Sequence, residues 1–192
     1  MKSLLSLLGC LLCWTPLLHA QSFPYQIPQI RVSLSYFGEL LVHPGIRLGV
    51  EMPISQSLTA SSLGNRAWVV GGHLTTYQHR RNHRALIISG SISRERINQA
   101  GLMSDIRLES GYMASFVDGE SFSWQNGEIV ESGTGSSHFY AGVNGSLGWD
   151  FDKKSDLPLS VRIRPHLFIQ APFNSSLLLR AAGELQFTYH LP

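Results

Sequence analysis

The sequence predicts an all-β chain: an eight-stranded antiparallel up-and-down transmembrane β-barrel that follows a cleaved signal peptide. Three observations lead there. The first is alternation. From Leu159 to Ala171 the odd positions read Leu159, Val161, Ile163, Pro165, Leu167, Ile169 and Ala171, against Ser160, Arg162, Arg164, His166, Phe168 and Gln170. From Leu179 to Leu191, apolar Leu179, Ala181, Leu185, Phe187, Tyr189 and Leu191 face Arg180, Glu184, Gln186, Thr188 and His190. Strand side chains point to opposite faces with period two, so each segment is a long strand with one oily and one polar face. The second is the N-terminus, where Lys2 precedes the short apolar core Leu4 to Leu12, then Pro16 and the Leu18-His19-Ala20 site. That pattern predicts a signal peptide over 1–20 and a barrel domain over 21–192. The third is that no later apolar run approaches the ~18 residues a transmembrane helix needs, so any membrane span must be closed β-structure.

Eight strand candidates follow in order: 28–38, 44–54, 66–79, 84–94, 104–117, 136–151, 158–171 and 177–190. In the first, Ile30, Val32, Leu34 and Tyr36 oppose Arg31, Ser33 and Ser35; in the second, Ile46, Leu48, Val50 and Met52 oppose Arg47, Gly49 and Glu51. The fifth sets Ile106, Leu108, Tyr112, Ala114 and Phe116 against Asp105, Arg107 and Glu109. The sixth sets Phe139, Val143, Leu147, Trp149 and Phe151 against His138, Asn144, Ser146 and Asp150. The fourth contains Ala85-Leu86-Ile87-Ile88, a continuous apolar run whose facing the pattern does not decide. Pro165 cannot donate to a ladder, so a bulge or a locally opened bond is expected there. With a periplasmic N-terminus, the external loops fall at 39–43, 80–83, 118–135 and 172–176. Connections 55–65 and 95–103 are long for inner turns.

Alternation alone does not separate a membrane barrel from a soluble lipid-carrying one, because only inside and outside swap. Aromatic residues favour the membrane: Trp68, Trp149, Phe151, Phe187 and Tyr189 fall near inner strand ends, and Tyr36, Phe116 and Phe139 near outer ends. Such girdles mark bilayer interfaces. The polar face carries Arg31, Arg47, Arg107, Arg162, Arg164 and Arg180 with Glu51, Asp105, Glu109, Asp150 and Glu184. These near-matched charges are expected to neutralise one another in a lumen that side chains fill. Beyond the leader the lysines are Lys153 and Lys154, beside twelve arginines. Arginine keeps its charge when desolvated, so this bias favours an enclosed polar face.

The stretches Val42-His43-Pro44-Gly45-Ile46-Arg47-Leu48-Gly49-Val50-Glu51, Tyr77 to His83, and Leu157-Pro158-Leu159-Ser160-Val161 with Arg164-Pro165 resemble a family of small exported outer-membrane β-barrel proteins without an assigned activity. The expected setting is the outer membrane of a Gram-negative-type bacterium, in contact with outer-membrane lipids including lipopolysaccharide, with the protein a monomer. The ending Phe187-Thr188-Tyr189-His190-Leu191-Pro192 resembles the aromatic-alternating signal read by barrel insertion machinery, with Pro192 departing from the usual terminal aromatic.

Chemistry is sparse. Cys10 and Cys13 both lie in the leader, which leaves no thiol or disulfide beyond it. No zinc signature, phosphate loop or paired-carboxylate site occurs, so no cofactor and no metal are expected, and no nucleic acid partner. His73-x-Thr75 and Ser136-x-His138 place a hydroxyl and an imidazole on one strand face, the minimum for a lipid-modifying enzyme of the lipid A deacylase kind. Both are read as lumen histidines bonded to neighbours. Arg80, Arg81 and Arg84, with His79 and His83, form a basic tip suited to lipopolysaccharide phosphates. Loop 118–135 carries Asp118, Glu120, Glu128 and Glu131 with Phe122 and Trp124, a surface for a partner. The expected role is therefore structural or interactive, not catalytic. A narrow pore is the remaining rival.

Overall fold

Alternating apolar and polar residues leave each strand two faces to satisfy, and closing the sheet on itself satisfies both without an exposed edge. The computed structural model describes residues 30–39, 43–57, 65–79, 83–117, 119, 121–125, 127–132, 135–155, 157–173 and 176–191. The expected leader lies outside them. The barrel strands are β1 (Arg31–Glu39), β2 (His43–Ser57), β3 (Asn65–His79), β4 (His83–Ile97), β5 (Leu102–Val117), β8 (Gly135–Asp150), β9 (Leu159–Phe173) and β10 (Ser176–His190). They close in the order β1-β10-β9-β8-β5-β4-β3-β2. Every neighbour is antiparallel, and β1 seals the ring from Arg31↔His190 to Glu39↔Ala182. Between β5 and β8, strands β6 (Ser121–Gln125) and β7 (Glu128–Ser132) form a separate hairpin turning at Gly127, with φ of 87°.

Strands run further at one end than the alternation indicated. Strand β2 pairs through Ser57, β4 through Ile97, and β5 from Leu102. The connections expected at 55–65 and 95–103 thereby shrink to 58–64 and 98–101. In the second, Asn98 Oδ1 accepts from Leu102 N at 2.9 Å and Asn98 O from Gly101 N at 3.1 Å. Gly101, at φ 89°, adopts the left-handed conformation this turn demands. At the same end the first and last described residues meet, where Leu191 N donates to Ile30 O at 2.9 Å. That end also holds the single-turn helix α1 (Asp152–Ser155). The opposite end holds the connection 118–134.

At Pro165 the bond opens and no bulge forms. Strand β9 keeps one register against β8 on either side, Asn144↔His166 and Leu147↔Ile163, while the residues between do not pair. A true irregularity lies in β2 between Pro53 and Ser55, opposite Val69 and Trp68.

Orientation is uniform. Leu34, Leu48, Leu108, Ile163 and Leu179 project outward and are at least half exposed, whereas arginines 107, 162 and 164 are essentially inaccessible inside. Strand β4 follows the same rule: Ala85 and Ile87 turn inward, Leu86 and Ile88 outward. The lumen is thus not purely polar. Phe37, Tyr77, Ala85, Ile87, Met113, Tyr140, Phe168 and Ala182 form an apolar layer across it. Gly45 and Gly142 make room for two of these large groups, since an added Cβ would lie 2.6 Å from Tyr77 Cβ and 3.0 Å from Phe168 Cβ respectively. At Gly111 an added Cβ would instead meet the neighbouring strand's backbone, 2.1 Å from Ile88 O.

Candidate functional site: the lumen and its two rims

Because β-strands tilt around a closed barrel, side chains far apart in sequence meet on the axis. Arg31 donates through Nη1 to Glu95 at 2.8 Å, and Arg162 Nη2 lies 2.9 Å from the same carboxylate. Asp105 Oδ2 accepts from Arg164 Nη2 at 2.9 Å, Arg162 Nη1 at 3.2 Å and Ser146 Oγ at 2.5 Å. Arg164 also donates to Gln186 at 2.7 Å and lies 3.6 Å from Glu184. Glu184 is bonded to His166 Nε2 at 2.7 Å and sits 3.8 Å from Arg47. Arg47 donates to Glu109 at 2.5 Å, which also accepts from Tyr140 at 3.1 Å and Asn144 at 3.2 Å. Arg107 donates to Glu51 at 2.6 Å and lies 3.9 Å from Glu109.

These contacts join Arg31, Arg47, Arg107, Arg162 and Arg164 to Glu51, Glu95, Asp105, Glu109 and Glu184, five cations to five anions, in one connected array. Each charge is buried and bonded, the condition for holding ions out of water.

Arg180 and Asp150 occupy other positions. Arg180 bonds Glu39 at the far rim, separated from the central array by the apolar layer. Asp150 is buried at the opposite end, where its Oδ1 accepts from Asp152 N at 3.1 Å and caps α1. Two carboxylates inside the barrel lie outside the expected strands: Glu95 of the array falls past the expected end of the fourth strand, and Glu39 of the far rim falls in the expected loop 39–43. Period two puts Glu95 on the face of Ala85 and Ile87, whose facing the pattern does not decide.

The far rim is lined by histidines. His43 and His79 stack with ring centroids 3.7 Å apart, and His79 stacks on His83 at 5.3 Å. His79 and His83 pair across β3 and β4 and turn toward the lumen, whereas Arg84 projects outward. They therefore do not form one basic tip with Arg84. Arg80 and Arg81 lie outside the described residues. Arg84 borders a shallow external depression of about 380 Å³ with Tyr36, Ile46 and Gln78. No cluster of metal-ligating side chains is present among the described residues.

The two hydroxyl–imidazole pairs differ in setting. His73 is enclosed, its Nε2 lying 3.3 Å from Arg107 Nη1 and 2.9 Å from Ser91 Oγ, and it makes no pair with Thr75. His138 is at the far rim, its Nδ1 2.6 Å from Pro172 O and its Nε2 2.9 Å from Ser136 Oγ. A carbonyl only accepts, so Nδ1 carries the proton and Nε2 accepts from the exposed Ser136.

The fold matches solved structures. It superposes on Neisserial surface protein A with a TM-score of 0.52 and 10% identity, covering 85% of this chain and 96% of that one. The outer membrane enzyme PagL aligns at 0.46, with 14% identity over 84% and 99%. The N-terminal β-barrel domain of Pseudomonas aeruginosa OprF aligns at 0.43, with 8% identity over 84% and 97%. No protein-family model and no curated protein matches the sequence. The chain has the eight-stranded antiparallel fold of small outer-membrane barrels.

Proposed function

We propose that this chain is an exported, monomeric outer-membrane protein whose barrel is a closed, non-catalytic anchor presenting its external connections to a partner. One observation carries the reading: an apolar outer wall surrounds a lumen occupied by a neutral, buried ionic array. The wall suits hydrocarbon, and the filled interior suits neither conduction nor a lipid ligand. The aromatic residues support it, with Trp68, Phe187 and Tyr189 exposed at one end and Tyr36, Tyr112, Phe116 and Phe139 at the other. The end bearing hairpin β6–β7 is the external one, because longer loops face outward in such barrels. There Arg84, with Arg80 and Arg81 from the adjoining connection, is suited to lipopolysaccharide phosphates. Assembly would use the barrel insertion machinery.

Fractionation with heat-modifiable gel mobility tests the anchor, and planar-bilayer recording tests the closed lumen. Recovery with outer membranes, a mobility shift on boiling and no stepwise conductance are expected. An aqueous periplasmic protein without a shift, or steady unitary currents, would overturn the reading.

A second reading is favoured by Ser136–His138, whose tautomer is the one a general base needs. The orienting group is a carbonyl and not a carboxylate, which stabilises an imidazolium less well. Incubation of purified protein with outer-membrane lipid extract and mass spectrometry decides: deacylation lost in Ser136→Ala would establish an acyl hydrolase.

A further inference from the structure

Four titratable side chains at the far rim form one row across four neighbouring strands. Glu39 on β1 is directly opposite His43 on β2, and His79 on β3 is directly opposite His83 on β4. The ring stack joins these two pairs, with His43 and His79 inclined by 23° and His79 and His83 by 19°. The His83 ring in turn meets Tyr77 edge-on at 6.0 Å, and Tyr77 packs on Phe37 in the apolar layer. The stack therefore caps that layer at this end of the barrel.

Imidazole is the side chain that changes charge near neutral pH, and this row tolerates that change badly. Shielded His43 Nδ1, His79 Nδ1 and His83 Nε2 have no hydrogen-bond partner among the described residues. A neutral ring can leave its acceptor nitrogen unbonded, but an imidazolium has a proton on both nitrogens to satisfy. Charging His43 and His79 together would also set like charges face to face at 3.7 Å. Neighbouring groups do not relieve this. Arg180 of β10 adds a cation, Arg80 and Arg81 follow His79 in sequence, and Tyr77 adds a phenol. From β5, Met113 and Ser115 turn inward, and His138 of β8 is bonded to Ser136 and Pro172. Among the described residues, Glu39 is the carboxylate that faces the row. Its Oε1 accepts from Arg180, while its Oε2 is unbonded among those residues and lies 3.8 Å from His43 Nδ1. A proton on His43 turns that approach into an ion pair, which the ring reaches by leaving His79.

We propose that Glu39, His43, His79 and His83 form an acid-operated latch on the far rim. Near neutral pH the rings stack and the rim is closed. At lower pH His43 pairs with Glu39, His79 and His83 move apart, and the strand ends that carry them part, uncovering Tyr77 and Phe37. The ionic array lies beyond the apolar layer and takes no part. The latch follows from the side chains whichever way the barrel faces; the orientation proposed above decides only that it senses the pH of the surroundings.

The test is amide hydrogen exchange of the folded, exported chain in micelles with a chelator present. It is read by mass spectrometry at segments 43–46 and 77–86 and corrected for the intrinsic exchange rate. An opening that takes up one proton is favoured about tenfold per pH unit below about pH 6.5. Between about pH 7.5 and about pH 5.5, protection of these segments in the wild type should therefore fall about tenfold. The triple variant His43→Gln/His79→Gln/His83→Gln should show no such fall, and His138→Gln, at the same rim but outside the row, should keep it. Equal protection at both pH values in the wild type, or a fall that persists in the triple variant, overturns the latch. Glu39→Gln should move the fall to lower pH, and a fall at unchanged pH overturns the pairing of His43 with Glu39.

Misfolding of the triple variant is checked by its heat-modifiable mobility, and His79→Gln, which removes the central ring alone, then serves with the same two outcomes. Orientation is read separately. Because both cysteines lie in the leader, Gln99→Cys supplies a single thiol in the 98–101 turn of the exported chain, at the opposite end from the row. Reaction of that thiol with an impermeant maleimide on intact cells would overturn the compartment sensed and the external placement of β6–β7, leaving the exchange result standing.

Discussion

Truncating Arg164 to alanine should destabilise the barrel by about 3 kcal/mol, and the structure explains why the figure is neither smaller nor larger. The side chain is wholly inaccessible, so no water replaces what is removed. Its bonds to Asp105 at 2.9 Å and Gln186 at 2.7 Å vanish, as does the 3.6 Å approach to Glu184. Removing one partner of a buried ion pair costs roughly 3–5 kcal/mol because a carboxylate is left under-compensated. Here neither carboxylate is stripped. Asp105 keeps Arg162 at 3.2 Å and Ser146 at 2.5 Å, and Glu184 keeps His166 at 2.7 Å and Arg47 at 3.8 Å. The lower end of the range follows. Arg107→Ala should cost more, about 5 kcal/mol, since Glu51 would be left with the Gln186 amide at 3.1 Å as its described bond. Arg180→Ala, at the partly exposed rim, should cost about 1 kcal/mol. Urea unfolding of the protein in micelles, followed by tryptophan fluorescence and gel mobility, measures all three. If Arg164→Ala costs less than about 1 kcal/mol, or the order reverses, the lumen is hydrated and the ionic array is not what fills it. Combining Arg164→Ala with Asp105→Asn should give less than the sum of the single effects, since the two groups share one bond.

Leu108→Arg, at mid-height opposite Val143 and more than half exposed, should destabilise the protein in bilayers by about 2–4 kcal/mol, read by unfolding in vesicles. A negligible effect would indicate that this face meets water. Gly111→Ala should cost about 1–3 kcal/mol, because its Cβ would meet the Ile88 carbonyl at 2.1 Å, whereas Gly72→Ala, with nothing within 4 Å, should be near neutral in the same unfolding assay. Deleting 121–132 and joining the flanks with a short turn should leave heat-modifiable mobility intact, since β6–β7 forms its own sheet apart from the barrel. Loss of folding would show that the hairpin is part of the scaffold.

Period two alone identified the eight barrel strands, because alternation is a local property of each segment, whereas the short hairpin β6–β7 fell in the expected loop 118–135. It assigned Arg162, Arg164 and Glu184 to one face and Ile163 and Leu185 to the other without any knowledge of neighbours. It was silent wherever both faces are apolar: Ala85-Leu86-Ile87-Ile88 gave no facing until the barrel placed Ile87 against Phe37, Tyr77 and Met113 in the inner apolar layer. Pairing partners were equally out of reach. Arg31 meets Glu95, 64 positions away, because strand tilt carries side chains around the axis, and no linear spacing encodes that. The same geometry took Asp150 away from the array to cap α1, and turned His79 and His83 inward. The sequence by itself determined which residues share a face, since that depends on the backbone pleat. Only the closed barrel decided which of them touch, since that depends on strand order, register and tilt.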